Sequence, residues 1–164
     1  MLFRSNNASN NVAVGYQAGY SNTTGPNNVF VGYQAGQSVT TSNSHTLIGY
    51  QAGASVSTGT DNVFIGNQAG YNTTATTTGS ANIYIGSAAR GSAVGTSYEI
   101  SIGFNTAGKG SSTGFINPNG GGVYQGNNSS SWSTTSDKRL KKNIVDNNDG
   151  LAKINAIRVR NFEY

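Results

Sequence analysis

Short apolar triplets punctuate an otherwise polar chain at a fixed interval. They sit in Asn11-Val-Ala-Val-Gly15-Tyr-Gln-Ala-Gly19, Asn28-Val-Phe-Val-Gly32-Tyr-Gln-Ala-Gly36, Thr46-Leu-Ile-Gly49-Tyr-Gln-Ala-Gly53 and Asn62-Val-Phe-Ile-Gly66-Asn-Gln-Ala-Gly70. Asn82-Ile-Tyr-Ile-Gly86-Ser-Ala-Ala and the more worn Glu99-Ile-Ser-Ile-Gly103-Phe-Asn-Thr-Ala follow. The central glycines fall at 15, 32, 49, 66, 86 and 103, so four of the five intervals are 17 residues. The fifth is 20, padded by the Thr/Ala-rich residues 73–78. A fixed period this short predicts a solenoid, in which each repeat is one coil stacked on the last.

Within a repeat the triplet reads as a strand, being too short and too β-branched for a helix. Glycine follows where the chain must bend or approach another backbone. Gln-Ala-Gly reads as a second short strand leading into a polar turn such as Ser21-Asn-Thr-Thr-Gly-Pro. The predicted coil therefore has two short strands and two turns. Coils stacked at roughly 4.8 Å make a rod of about 30 Å from six repeats.

The triplets are apolar on both faces. Val12 and Val14, or Val29 and Val31, point one way, whereas Ala13, Phe30, Leu47, Phe64 and Tyr84 point the other. Apolar side chains on both faces imply that both are covered. A thin coil has only one inside, and a lone rod would expose a continuous apolar stripe. The array is thus expected to be an obligate homo-oligomer, with chains packed about a common axis.

Composition sharpens this picture. Apolar residues are 35% and charged residues 10% of the 164, both low for a globular domain. Solubility must come from Asn, Ser, Thr and Gly, which suits a rigid, neutral β surface better than a charge-expanded disordered chain. The net charge of +4 is uneven: residues 1–135 hold three basic and two acidic side chains, and residues 136–164 hold seven and four. A nucleic-acid surface along the repeats is not expected. With no cysteine, disulfides and Cys-based metal sites are excluded. No stretch has the length of a membrane span, so membrane insertion is not expected, and the first residues lack the apolar core of a secretory signal.

Three segments follow from these shifts: a repeat array over 1–108, a Gly/Ser/Asn-rich connector over 109–135, and a charged tail over 136–164. The Asn-Val-x-Val/Ile-Gly-x-x-Ala pattern of residues 11–107 resembles the head repeats of trimeric autotransporter adhesins. It is still more similar to the Gly-Tyr-Gln-Ala-Gly repeats of bacteriophage tail fibres. The resemblance implies trimeric parallel β-rolls, and the expected number of three chains draws on it. The fold class expected is all-β, a short-repeat parallel β-solenoid, homotrimeric, with a small α+β tail.

The tail opens on Ser136-Asp137-Lys138-Arg139-Leu140-Lys141-Lys142-Asn143-Ile144. This resembles the start of the intramolecular chaperone domain of the S74 peptidase family, found at the C-termini of phage tail fibres and tailspikes. Every fixed position of the pattern Ser-Asp-x-Arg-Leu-Lys-x-x-Ile is matched, by Ser136, Asp137, Arg139, Leu140, Lys141 and Ile144. The resemblance implies a domain that trimerises, templates folding of the upstream fibre and then releases itself by cutting before the serine. It assigns Ser136 as nucleophile, Lys141 as base and Thr135–Ser136 as the scissile bond, with Asp137 orienting the junction. The residue types suit that chemistry. A serine hydroxyl needs an adjacent base, and a lysine can serve when burial and neighbouring cations lower its pKa. Without the resemblance, the same run reads as a solvated basic turn at a domain boundary. Members of that family continue through long helices. Here only a short helix signal over 149–157 and a strand-like 158–164 follow, so little or no self-cleavage is expected of this chain alone.

Other signals are weaker. Gly103-Phe-Asn-Thr-Ala-Gly-Lys109-Gly110 spells most of a phosphate-binding loop, but Gly110 stands where Ser or Thr must hold magnesium. Nucleotide binding is not expected, nor any other cofactor. His45 is the only histidine, which excludes a His-based metal cluster or a Ser-His triad; it is expected in a solvated loop. Tyr16, Tyr33 and Tyr50, with Gln17, Gln34 and Gln51, would form vertical ladders in stacked coils. Such ladders either pack against themselves or bind sugars by ring stacking, which makes the three tyrosines candidate receptor contacts.

The reading favoured is a structural and host-recognition part of a phage tail fibre. Its expected partners are two further copies of itself, other tail proteins, and a host-surface glycan or outer-membrane receptor. Its expected location is the virion, extracellular after release. A bacterial trimeric adhesin head is the alternative, although an autotransporter would end in a membrane anchor after a coiled coil. An ice-binding β-solenoid is a more distant one, because regular Thr-x-Thr rows are missing.

Overall fold

A computed structural model describes residues 8–71, 78–118, 121–126 and 131–134. The six triplets form β1 (Val12–Val14), β2 (Val29–Val31), β3 (Thr46–Ile48), β4 (Val63–Ile65), β5 (Ile83–Ile85) and β6 (Ile100–Gly103). β7 (Gly114–Asn117), β8 (Val123–Gln125) and β9 (Trp132–Thr134) follow. All nine lie in one sheet in chain order. β1 to β7 pair in parallel, each triplet on the next, as Ala13 on Phe30, Phe30 on Leu47, Leu47 on Phe64 and Phe64 on Tyr84. β7–β8 and β8–β9 are antiparallel. The expected parallel β-solenoid is present, with about six turns, and there is no helix among the described residues. The sheet runs on past residue 108 into the stretch read as a connector. The α+β tail lies outside the described residues.

One feature of the coil differs from expectation. Gln-Ala-Gly is not a second strand but a run of tight turns. Ala35 N–H donates to Gly32 O, Gln37 N–H to Gln34 O and Val39 N–H to Gly36 O. The glutamines are left-handed, with φ of 52° at Gln17, 54° at Gln34 and 53° at Gln51. A strand needs extended backbone throughout, so each coil carries one strand only. The left-handed state costs an L-residue strain. Here it is held by the coil before, since Gln34 N–H donates to Tyr16 O at 2.8 Å and Gln51 N–H to Tyr33 O at 2.7 Å.

The corner glycine after each strand is obligatory. Gly49 has φ of 135°, and a Cβ there would run into the carbonyl oxygen of Gly66 in the next coil. The same approach links Gly15 to Gly32 and Gly32 to Gly49. Close backbone stacking, rather than bending alone, is what the repeated glycine permits.

The core is a single file of side chains inside the coils. The middle residue of each triplet points inward, and Phe30, Leu47, Phe64 and Tyr84 are fully buried, flanked by a column of alanines at 18, 35, 52, 69 and 89. Phe64 and Tyr84 stack at 4.6 Å. The flanking residues point outward, and Val12 and Val14 are 49% and 52% exposed. The two apolar faces of the triplet are therefore unequal in one chain: one is inside the coil and the other lies on its surface.

A polar file accompanies the apolar one. The residue before each triplet accepts a hydrogen bond from the equivalent backbone of the next coil. Asn28 N–H donates to Asn11 Oδ1 at 2.7 Å, His45 N–H to Asn28 Oδ1 at 2.9 Å and Asn62 N–H to His45 Nδ1 at 3.3 Å. Asn82 N–H then donates to Asn62 Oδ1, and Glu99 N–H to Asn82 Oδ1, both at 3.0 Å. His45 is thus a buried member of an asparagine ladder, only 1% exposed, not a solvated loop residue. It lies 17 residues after Asn28, in the asparagine position of its coil.

Candidate functional site

Two surfaces and one buried cluster are the places where this fold could act on something else. The first surface consists of the outward strand columns, Val12, Val29, Thr46, Val63, Ile83 and Ile100 beside Val14, Val31, Ile48, Ile65, Ile85 and Ile102. All are exposed or half-buried in the single chain, and none carries a charge. A continuous uncharged stripe of this kind is an exposed apolar surface of the sort that marks interaction sites.

The second surface is the column one step past the corner glycines. Backbone bonds from Gln34 to Tyr16, Gln51 to Tyr33, Gln68 to Tyr50, Ala88 to Asn67 and Asn105 to Ser87 fix its register. It reads Tyr16, Tyr33, Tyr50, Asn67, Ser87, Phe104. The expected ladder is present at its upper end. Tyr16 and Tyr33 stack with centroids 5.3 Å apart and planes 17° apart, and Tyr33 and Tyr50 at 5.3 Å and 9°. Each inner ring face is covered by the next tyrosine, so the stack offers solvent its ring edges and hydroxyls. A sugar needs a free face, and the ladder keeps one only at its ends. Beside it runs an amide ladder, with Gln34 Nε2 donating to Gln17 Oε1 at 2.9 Å, Gln51 Nε2 to Gln34 Oε1 at 3.0 Å and Gln68 Nε2 to Gln51 Oε1 at 3.1 Å.

The tyrosine ladder stops at the fourth coil, where Asn67 stands, and the amide ladder at the fifth, where Gly86-Ser87-Ala88-Ala89-Arg90 follows the fourth coil's Gly66-Asn67-Gln68-Ala69-Gly70. Ser87 and Ala88 are short where Asn67 and Gln68 stand one coil before. Arg90 reaches across, its NH1 donating to Ala88 O at 3.2 Å and to Asn105 Oδ1 at 2.8 Å. The sequence reading placed this repeat in the array without weighing these losses; in register, Asn67 and Ser87 follow Tyr50 in one column and Ala88 follows Gln68 in the next.

The buried cluster surrounds Glu99, the last member of the interior ladder and fully buried. Its Oε2 accepts from Tyr84 Oη at 3.1 Å, Thr96 Oγ1 at 3.0 Å and Ser92 N–H at 3.2 Å, and its Oε1 from Gly110 N–H at 2.8 Å. Burial, aided by the neighbouring Glu99, pushes the Tyr84 phenol well above its ordinary range, against a smaller opposing bond with Thr96. Every partner donates to the carboxyl group and no open face remains, so the cluster serves the fold. Burial likewise holds the His45 imidazole down to about 4, outweighing the raising influences of the Gly59 carbonyl and Asp61. Its Nδ1 must accept from Asn62 N–H, which puts the proton of the neutral ring on Nε2.

The candidate catalytic residues Ser136 and Lys141, the bond at Thr135, and the motif residues Asp137, Arg139, Leu140 and Ile144 lie outside the described residues. Among the described residues no three His, Asp or Glu side chains gather as metal ligands, and no helix is long and apolar enough to cross a membrane. Comparison with protein-family models, curated proteins and solved structures finds no match to this chain. The fold defines it as a single-sheet parallel β-solenoid.

Proposed function

We propose that this chain is a trimeric structural and host-recognition component of a phage tail fibre. Its C-terminal segment is the start of a chaperone that assists trimer folding, with Thr135–Ser136 as its candidate self-cleavage bond. The observation that carries the reading is the uncharged double column of Val, Thr and Ile along the outer face of the solenoid. A single chain leaves that face in water, and each half-exposed Val or Ile gains about 1 kcal/mol or more on being covered. Repeated over six coils and three chains, that gain far exceeds what one triplet could supply. The column continues in register for the length of the parallel sheet, which suits a copy of the same chain better than a partner of different pitch. The Ser136 to Ile144 motif, following the sheet in sequence, supports the fibre setting.

Sedimentation of the purified chain at micromolar concentration tests the reading. A trimer that does not dissociate on dilution is expected. A stable, folded monomer would overturn it.

A further inference from the structure

We infer that the break in the two surface ladders across the fourth and fifth coils is a saccharide-binding site that prefers an acidic sugar. The site rests on the host-recognition reading for its purpose but on its own geometry for its chemistry. Tyr50 ends the stacked tyrosines with one face uncovered by a further ring, and Phe104, three coils on, is 72% exposed. At one coil per ~4.8 Å, positions 50 and 104 lie about 14 Å apart along the stack, a span on the scale of a disaccharide. Asn67 and Ser87 occupy the floor, with Gln68 and Ala88 in the adjoining column.

The chemistry of this lining is that of a sugar site. Flat aromatic faces accept the C–H face of a pyranose, and amide and hydroxyl groups bond to its hydroxyls. Arg90 adds the selectivity. Its guanidinium is held at the rim by Asn105 and the Ala88 carbonyl, both neutral acceptors, so its charge is not cancelled by a carboxylate in those bonds. The remaining donors of a planar guanidinium match a carboxylate or phosphate group in paired geometry. Of the two acidic residues in the array, Glu99 is buried inside the coil, and Asp61 belongs to the turn before β4, bonded to Thr60. A neutral sugar would stack, and an acidic one would stack and be neutralised.

Saturation-transfer NMR on the full chain tests the site, with glucuronate as the acidic probe and glucose as its uncharged counterpart. Glucuronate is expected to receive saturation and to bind more tightly than glucose. Arg90→Gln should weaken glucuronate roughly tenfold while leaving glucose unchanged. Phe104→Ala should weaken both by roughly three- to tenfold. Thr23→Ala, in the exposed turn between β1 and β2, should alter neither. Equal transfer to both sugars in wild type and Arg90→Gln would overturn the charge selectivity. No transfer at all, or transfer unaffected by Phe104→Ala, would remove the site. Sedimentation of the same samples separates the two ideas: a trimer that ignores both sugars leaves the fibre reading standing, whereas a sugar-binding monomer keeps the site and removes the trimer.

Discussion

His45 shows how a single replacement in an interior ladder carries a measurable consequence. Its ordinary pKa of 6.5 falls to about 4 in the fold, because burial disfavours the imidazolium and protonated Nδ1 would face the Asn62 N–H donor. The unfolded chain therefore takes up a proton that the folded chain refuses. Stability from this residue is complete above pH 6.5, declines as pH falls, and levels off below about 4. The loss amounts to about 3 kcal/mol per chain. His45→Asn restores the ladder residue and should flatten that part of the profile, as read by melting temperature against pH. Parallel profiles for the two proteins would show that His45 is not the titrating group. Gly49 makes the opposite point, that a position can have no substitute. Gly49→Val adds a Cβ against the Gly66 carbonyl at a φ of 135° and should cost at least about 3 kcal/mol per chain. Gly121→Ala, with open space around the added carbon, should leave the melting temperature unchanged.

Within a strand, neighbouring residues face different worlds. Phe30 fills the coil interior and Val31 stands outside it. Phe30→Ala should cost about 3–5 kcal/mol through the cavity left behind and lower the melting temperature whatever the state of assembly. Val31→Lys leaves the coil interior intact. It would place an unpaired ammonium in any interface built on the outer columns, at a cost of several kcal/mol for each copy. The expected result is a chain with its β circular-dichroism signal retained and its sedimentation shifted to monomer. An unchanged oligomer in Val31→Lys would place the interface elsewhere.

At the scale of the molecule, the solenoid and the charged tail pose separate questions. Joined to a complete chaperone domain of the kind the tail resembles, the chain should cut once, giving an upstream product of 135 residues that ends at Thr135. Ser136→Ala and Lys141→Ala should each leave it whole, and Lys142→Ala should cut normally. Intact mass decides the matter: cleavage in Ser136→Ala, or a product ending elsewhere, would rule out this dyad.

The repeat period determined the solenoid, since a glycine recurring every 17 residues is a covalent fact that stacking in register simply obeys. The inward and outward alternation of each triplet was legible for the same reason, strand side chains having a period of two. What the sequence could not supply was which face lies inside. That choice depends on the direction in which the coil closes, set by left-handed corners at Gln34 and its equivalents. Those corners also turned a supposed second strand into turns, because bonds between coils, not local propensity, hold a glutamine at positive φ. The bonding of His45, Glu99 and Arg90 emerges only from the tertiary structure. His45 bonds to residues 17 positions away and Glu99 to residues 3 to 17 positions away, and these become neighbours only when the chain coils.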